Sequence, residues 1–187
     1  TVAGDYTVYA GTSIDDYGAQ IGTGDAAFKT HDDASQITLN HPSNSFRGTV
    51  SYEGGIGFTV NDTDATGFVL VGRTLVGNLV VTAAGPVTQS GVLIVGGLTS
   101  ITATGQNVTL TNASNDFQAA VQIVGAAVEI VDTNGIDLGT STVTGTYQVT
   151  AGGAVTDSGT QDITGVTTIT AGSSNNITHD HATNNFA

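Results

Sequence analysis

Three versions of one phrase recur along this chain: VYAGTSIDDYG at 8–18, VTAAGPVTQSG at 81–91 and VTAGGAVTDSG at 149–159. The likeness extends outward from each. GDYTVYAG at 4–11, GNLVVTAA at 77–84 and GTYQVTAG at 145–152 open the copies at spacings of 73 and 68 residues. Further on, ITLNHPSNSF at 37–46, VTLTNASNDF at 108–117 and ITHDHATNNF at 177–186 follow at spacings of 71 and 69. A period this long constrains the fold, because one copy cannot bury its apolar face alone and must stack on the next. The text divides into units 1–75, 76–142 and an incomplete 143–187, within a single domain.

The residue types say what kind of element is stacked. The chain has 26 Gly and 2 Pro in 187 residues, with much Val, Thr, Ala and Asn. β-Branched side chains suit a pleated surface, and Gly and Asn accept tight turns, so almost no helix is expected. The second unit splits into three stretches, 78–97, 98–120 and 121–145, each made of short apolar-alternating segments broken by Gly, Asn or Asp. Twenty-odd residues is about one turn of a β-solenoid, whose strands pair in parallel with the coils above and below. About eight coils rising ~4.8 Å each predict a rod on the order of 40 Å long. An antiparallel sandwich would set hairpin turns every 8–12 residues but would not generate the long self-similarity.

Period-two alternation then selects the inward side chains: Tyr6 and Val8, Leu79 and Val81, Tyr147 and Val149, with Phe28, Ile101 and Ile169, and Ile37, Val108 and Ile177 at matching places. Phe46, Phe117 and Phe186 close the NSF, NDF and NNF phrases and are expected to fill one corner of each unit.

Taken together, GNLVVTAAGPVTQSG, TSITATGQNVTLTNASNDF and NGIDLGTSTVTG resemble the β-strand repeats of filamentous-haemagglutinin-like adhesins, giant bacterial surface and secreted proteins, over nearly the whole chain. The resemblance implies an all-β, right-handed parallel β-helix. It also implies a non-enzymatic shaft segment of a cell-surface or extracellular fibre, serving attachment or matrix scaffolding. The partners expected for such a rod are neighbouring solenoid coils or identical subunits end to end, with surface glycans or matrix as further candidates. The segments HDDASQ at 31–36 and NDTDATGFVLVGRTL at 61–75 are more charged than their counterparts.

Charge narrows the partners independently. Lys29, Arg47 and Arg73 are the three cations against 16 acids, for a net charge of −13, which leaves no basic footprint for nucleic acid and repels an anionic membrane. No run of 18 apolar residues occurs, so no membrane insertion is expected, and the start at Thr1 suggests a processed product or an excised piece. Without Cys there are no disulfides and no thiolate metal sites.

Two kinds of chemistry remain. A carbohydrate-active β-helix would gather carboxylates on neighbouring coils, and Asp15, Asp16, Asp32, Asp33, Asp62 and Asp64 are the candidates, with a turn role as the simpler reading; Glu53 and Glu129 look isolated. Calcium is the other. Asp62, Asp64 and Thr66 stand at alternate positions before Gly67, a spacing that lets hard oxygen ligands converge, although Arg73 stands where an EF-hand would have its bidentate acid. Asp132 and Asn134 repeat the spacing, and Asx turns offer the competing account. His179 and His181 form an H-x-H pair, but His179 aligns with the inward Leu39 and Leu110. Threonine ladders for ice are not repeated coil after coil. An alternative to the shaft is a self-assembling filament or sheath subunit, stacked head to tail through open ends.

Overall fold

Alternating apolar side chains, interrupted every few residues by Gly, Asn or Asp, fold into 25 short strands and no helix in the computed structural model, which describes residues 1–32, 34–54 and 56–186. Ten strands precede the second copy of the text: β1 (Tyr6–Ala10), β2 (Ile14–Asp15), β3 (Ile21–Gly22), β4 (Ala26–Thr30), β5 (Gln36–Leu39), β6 (Ser45–Phe46), β7 (Val50–Glu53), β8 (Gly57–Asp62), β9 (Phe68–Leu70) and β10 (Arg73–Leu75). Ten more follow: β11 (Leu79–Ala83), β12 (Val87–Gln89), β13 (Leu93–Val95), β14 (Thr99–Thr102), β15 (Val108–Leu110), β16 (Asp116–Phe117), β17 (Val121–Gly125), β18 (Val128–Asp132), β19 (Ile136–Leu138) and β20 (Ser141–Val143). The last five are β21 (Tyr147–Ala151), β22 (Val155–Asp157), β23 (Gln161–Ile163), β24 (Thr167–Thr170) and β25 (Asn185–Phe186).

Every strand pair is parallel, and partners lie between 17 and 24 residues apart. One face carries β1-β4-β7, then β10-β13-β16; a second carries β2-β5-β8-β11-β14-β17-β20-β23-β25, to which the pair β19-β22 is joined by a single bridge from β17; the third carries β3-β6, then β9-β12-β15-β18-β21-β24. The chain therefore visits three faces in turn, and a strand normally pairs with the third strand after it. At the end, a lone bridge from Val155 to Ile177 takes a strand's place before β25. The result is a parallel β-solenoid of about nine turns, fitting a right-handed parallel β-helix, where about eight turns are expected from sequence.

The extra turn has a definite origin. The stretch 121–145 holds four strands, β17 to β20, because Ala126 and Ala127 alone turn the chain between Gly125 and Val128. Each unit thus has ten strands on three faces, or three and one-third turns, so one strand is left over per unit. Equivalent strands consequently move round by one face at each repeat. β1 lies on the first face, its copy β11 on the second and β21 on the third. Each copy nevertheless keeps its neighbours: β1 pairs with β4, β11 with β14 and β21 with β24. The ring-bearing strands β6, β16 and β25 rotate in the same way, so the three phenylalanines occupy three different sides instead of one corner.

Side chains facing the axis form one continuous core. Leu79, Val81, Tyr147, Val149, Phe28, Ile101, Ile37 and Val108 are buried as the alternation predicts, together with Phe46 and Phe117. Tyr6, Val8 and Ile169 are only partly buried, and Ile177 is exposed, because they stand in the first and last coils with a neighbour on one side. In the first unit the rings fill the interior among themselves: Tyr52 stacks on Phe58 with centroids 3.9 Å apart, and Phe28 meets Tyr6 and Phe46 edge to face. At the corners, coil approaches coil through glycine. A Cβ on Gly153 would stand 2.6 Å from the Gly135 amide nitrogen of the coil beneath, so no other residue fits there without backbone movement.

Candidate functional site

The calcium candidate residues Asp62, Asp64 and Thr66 lie together in one folded turn. Asp62 ends β8 with its side chain inside the rod, 1% exposed. Its Oδ1 accepts the Phe46 amide at 2.9 Å and the Asp64 amide at 3.1 Å, while Oδ2 has no partner among the described residues. Asp64 Oδ1 accepts both the amide and the hydroxyl of Thr66, at 2.9 and 2.5 Å, and Asp64 Oδ2 accepts Arg47 Nε at 3.2 Å. Asp62, Asp64 and Thr66 thus occupy one Asx-type turn in which every carboxylate oxygen except Asp62 Oδ2 already receives a backbone, hydroxyl or arginine proton. Asp132 and Asn134 repeat it: Asp132 accepts the Phe117 and Asn134 amides, each at 2.7 Å. Among the described residues no group of three or more His, Cys, Asp or Glu is placed to hold a metal ion.

Burial pushes the Asp62 and Asp132 carboxyls above their ordinary value of 3.8, against the amide hydrogen bonds that pull them down. A carboxyl whose pKa is higher folded than unfolded binds its proton more tightly in the rod. Its stabilising contribution is complete below the unfolded pKa and is lost as pH rises through the folded one. Asp62→Asn keeps an Oδ1 for both amides and removes the charge. Urea titrations from about pH 3 to about pH 7, across the carboxylate range, are therefore expected to show the native protein losing stability relative to Asp62→Asn as pH rises.

A second polar arrangement recurs in all three copies and was not singled out from sequence. Asn44, Asn115 and Asn184 close the loops before the three phenylalanines. Asn115, fully buried, donates to Gln89 Oε1 at 2.9 Å and to the Leu110 carbonyl at 3.3 Å, and accepts from Leu93 N at 3.0 Å and Gln89 Nε2 at 2.8 Å. Asn44 does the same with Asp16, the Leu39 carbonyl and Gln20 N. Asn184 does so with Asp157 and Gln161 N. The partners Asp16, Gln89 and Asp157 lie 28, 26 and 27 residues upstream, one coil below. Asp16 and Asp157 also accept amides from the loop above, of Asn40 and His41 and of Asp180 and His181. For Asp157, burial raises the pKa, and the Asn184 and amide hydrogen bonds outweigh it, leaving it below the ordinary value. These groups clamp each asparagine loop to the coil beneath, and Asp62 and Asp132 clamp the same loops to the coil above.

A concave surface with mixed charge lies where the first face is interrupted. β7 and β10 form no ladder, although their copies β17 and β20 do. A groove of about 840 Å³ opens there, lined by His31, Asp32, Glu53, Arg73, Val92 and Ile94 among others. Glu53 is not isolated, as sequence suggested. Lys29 Nζ reaches its Oε1 at 3.2 Å and Arg73 at 3.5 Å, so three successive coils meet in one ion-paired ladder. The Lys29 hydrogen bond, with Arg73 beside it, holds the Glu53 carboxyl below the ordinary range. Arg73 Nε donates to the Tyr52 carbonyl at 2.6 Å, spanning the gap that the missing ladder leaves. The separations of 24 and 20 residues were the available signal, being one coil each.

The remaining candidates are dispersed. Asp15 is exposed on β2, and Asp32 accepts the Ala34 amide and the Ser35 hydroxyl; Asp33 lies outside the described residues. Glu129 points outward between Thr109 and Gln148. His179 turns inward against Phe186, with ring centroids 5.1 Å apart and Nε2 3.8 Å from Asp157, whereas His181 Nδ1 meets the Thr183 hydroxyl.

With this geometry in place, comparison with known proteins becomes specific. Residues 1–53, 57–124 and 125–187 each match the family described as repeats of unknown function, DUF5649. The chain belongs to that family. Its DUF5649 units are cut at different points from the units 1–75, 76–142 and 143–187, as a continuous solenoid allows. Comparison with curated proteins finds no match, and comparison with solved structures finds none. In DUF5649 terms, the clamps recur from copy to copy, while the charged groove lies between the first copy, which supplies His31, Asp32 and Glu53, and the second, which supplies Arg73, Val92 and Ile94.

Proposed function

We propose that this chain is a structural shaft segment of a bacterial cell-surface or extracellular fibre, non-enzymatic, mediating attachment or matrix scaffolding. The observation that carries the reading is the use made of buried polar groups. Asn44, Asn115, Asp62 and Asp132 are engaged in holding coil to coil, around a core that runs from Ile14 to Ile163. A rod of this kind resists bending because coils are joined by parallel strand ladders on their sides and one loop in each repeat is clamped to its neighbour. The likeness to filamentous-haemagglutinin-like adhesins supports the placement outside the cell; surface glycans or matrix are the partners such a shaft would meet, and the alternate spacing of Asp62, Asp64 and Thr66 keeps calcium as a candidate ligand of that turn.

Electron microscopy of the native material, with and without calcium, tests the proposal. Uniform stiff rods or fibres with an axial repeat near ~4.8 Å support it. Compact or flexible particles oppose it. The alternative reading is a self-assembling filament or sheath subunit, stacked head to tail. It requires length to grow with protein concentration, whereas a shaft segment keeps one length. A net charge of −13 opposes close packing of copies, so any such growth is expected to increase with salt.

A further inference from the structure

Strand by strand round the rod, ladders join β4 to β7 and β5 to β8, then resume from β8 to β11 and from β9 to β12. Between them two consecutive ladders are missing among the described residues, β6 to β9 and β7 to β10. One circuit of the rod crosses a junction on each of its three faces, so at this level a single ladder remains. The corresponding circuit of the second unit lacks only β16 to β19, and keeps β15 to β18 and β17 to β20. The first unit has the longer connection here: DTDATGF at 62–68 stands where the second has DTNGI at 132–136.

Side chains bridge the two gaps, and both arginines of the chain are among them. Arg47, just after β6, meets Asp64, ahead of β9, at 3.2 Å. Arg73 on β10 meets Glu53 on β7 at 3.5 Å and donates from Nε to the Tyr52 carbonyl at 2.6 Å. The clamp from the Asp62 turn to the Asn44 loop is common to both units, but the arginine pairs are not. At the equivalent places the second unit has Gln118, which turns to its near neighbour Asp116, and buried Ser141, whose hydroxyl accepts the Ile123 amide. The Arg47 side chain is 65% exposed and that of Glu53 50%, so water replaces either partner readily and the pairs hold less firmly than a ladder. The groove of about 840 Å³ is the outer mouth of the gap between β7 and β10.

We infer that this level is a joint, latched by the two arginine pairs, at which β1–β7 open from the rest of the rod as one unit. Ladder length sets the parting line. β5 and β8 share four paired positions and β8 and β11 share five, so β8 stays with the longer part of the solenoid. Apolar packing continues through the level, which makes the joint a place of local opening and bending and not a domain boundary. A shaft that is stiff elsewhere then yields at one fixed point. The joint is a property of the chain itself, so its failure would leave the shaft reading standing.

Native-state amide exchange across the whole chain tests the joint. The amides of β4 and β7 are expected to exchange through one shared opening, at least about tenfold faster than those of β11 and β18. Replacing each arginine by its second-unit counterpart, Arg47→Gln with Arg73→Ser, is expected to speed β4 and β7 together by about threefold or more and to leave β18 and β21 unchanged. Fraying from the first coil alone would instead give protection that climbs gradually from β1 to β11, and that result overturns the inference. So does a variant that speeds both sides equally. Spin labels give a second reading that needs neither arginine changed. Ala27 and Ile94, outward positions on β4 and β13, straddle the joint, and their equivalents Ser100 and Asp162 on β14 and β23 straddle the intact ladder of β17 and β20. A distance distribution at least about twofold wider for the first pair supports the joint. Equal widths overturn it.

Discussion

Replacing Asn115 by alanine is expected to destabilise the rod by about 3–4 kcal/mol, because each buried polar group left without its partner costs about 1–3 kcal/mol. The side chain makes four hydrogen bonds from a fully buried position, to Gln89, Leu93 N and the Leu110 carbonyl. Alanine leaves a backbone donor and a backbone acceptor unpaired in a place water does not reach. Gln89 recovers part of the loss, since its amide already contacts the Gly91 carbonyl. The same change at Asn184, in the part-buried last coil, is expected to cost only about 1 kcal/mol, because solvent replaces the lost partners. Urea unfolding of the two variants checks the contrast. Equal losses would mean that the asparagines act locally on their loops and not as clamps between coils.

The second large effect concerns the rings. Phe117→Ala removes a side chain that is buried to 1% and is expected to cost about 3–5 kcal/mol, transfer and cavity together. Phe186→Ala is expected to cost less than about 1 kcal/mol, since a half-exposed ring has little burial to lose. Such inequality between equivalent residues in similar text is a property of stacked repeats, where an inner copy has two neighbours and an end copy has one. Calorimetry of both variants reads it directly.

Much of the fold could be read from the alternation and the period. Leu79, Val81, Tyr147 and Val149 face inward as expected, and the coil length follows from the Gly- and Asn-marked turns. The angular phase was hidden. The stretch 121–145 has the length of one coil and its pieces look like three segments, but the two-residue Ala126-Ala127 corner makes room for a fourth strand. Local alternation cannot reveal which face a strand joins; that is set by the count of corners along the chain.

The polar clamps were hidden for a different reason. Asn44, Asn115 and Asn184 sit beside Ser, Asp and Asn in loop-like text, where an asparagine ordinarily turns the backbone and faces water. Only the neighbouring coil, 26 to 28 residues away, supplies the acceptor that draws it inward. Glu53 illustrates the same blindness. It is flanked by Tyr52 and Gly54, and the charges that hold it come from Lys29 and Arg73, one coil to either side. Sequence proximity showed the Asp62, Asp64 and Thr66 turn well, because that arrangement is local.

The claim on which the architecture rests is that each unit advances by one face. The chain has no cysteine, so spin labels can be placed cleanly at Thr7, Val80 and Gln148, three equivalent outward positions on β1, β11 and β21. Three and one-third turns with sides of ~20 Å place successive labels about 25 Å apart, on different faces. A dipolar distance near that value for both the Thr7–Val80 and Val80–Gln148 pairs is the predicted result. Strong short-range broadening at about 14 Å, the height of three whole turns on a single face, would contradict it.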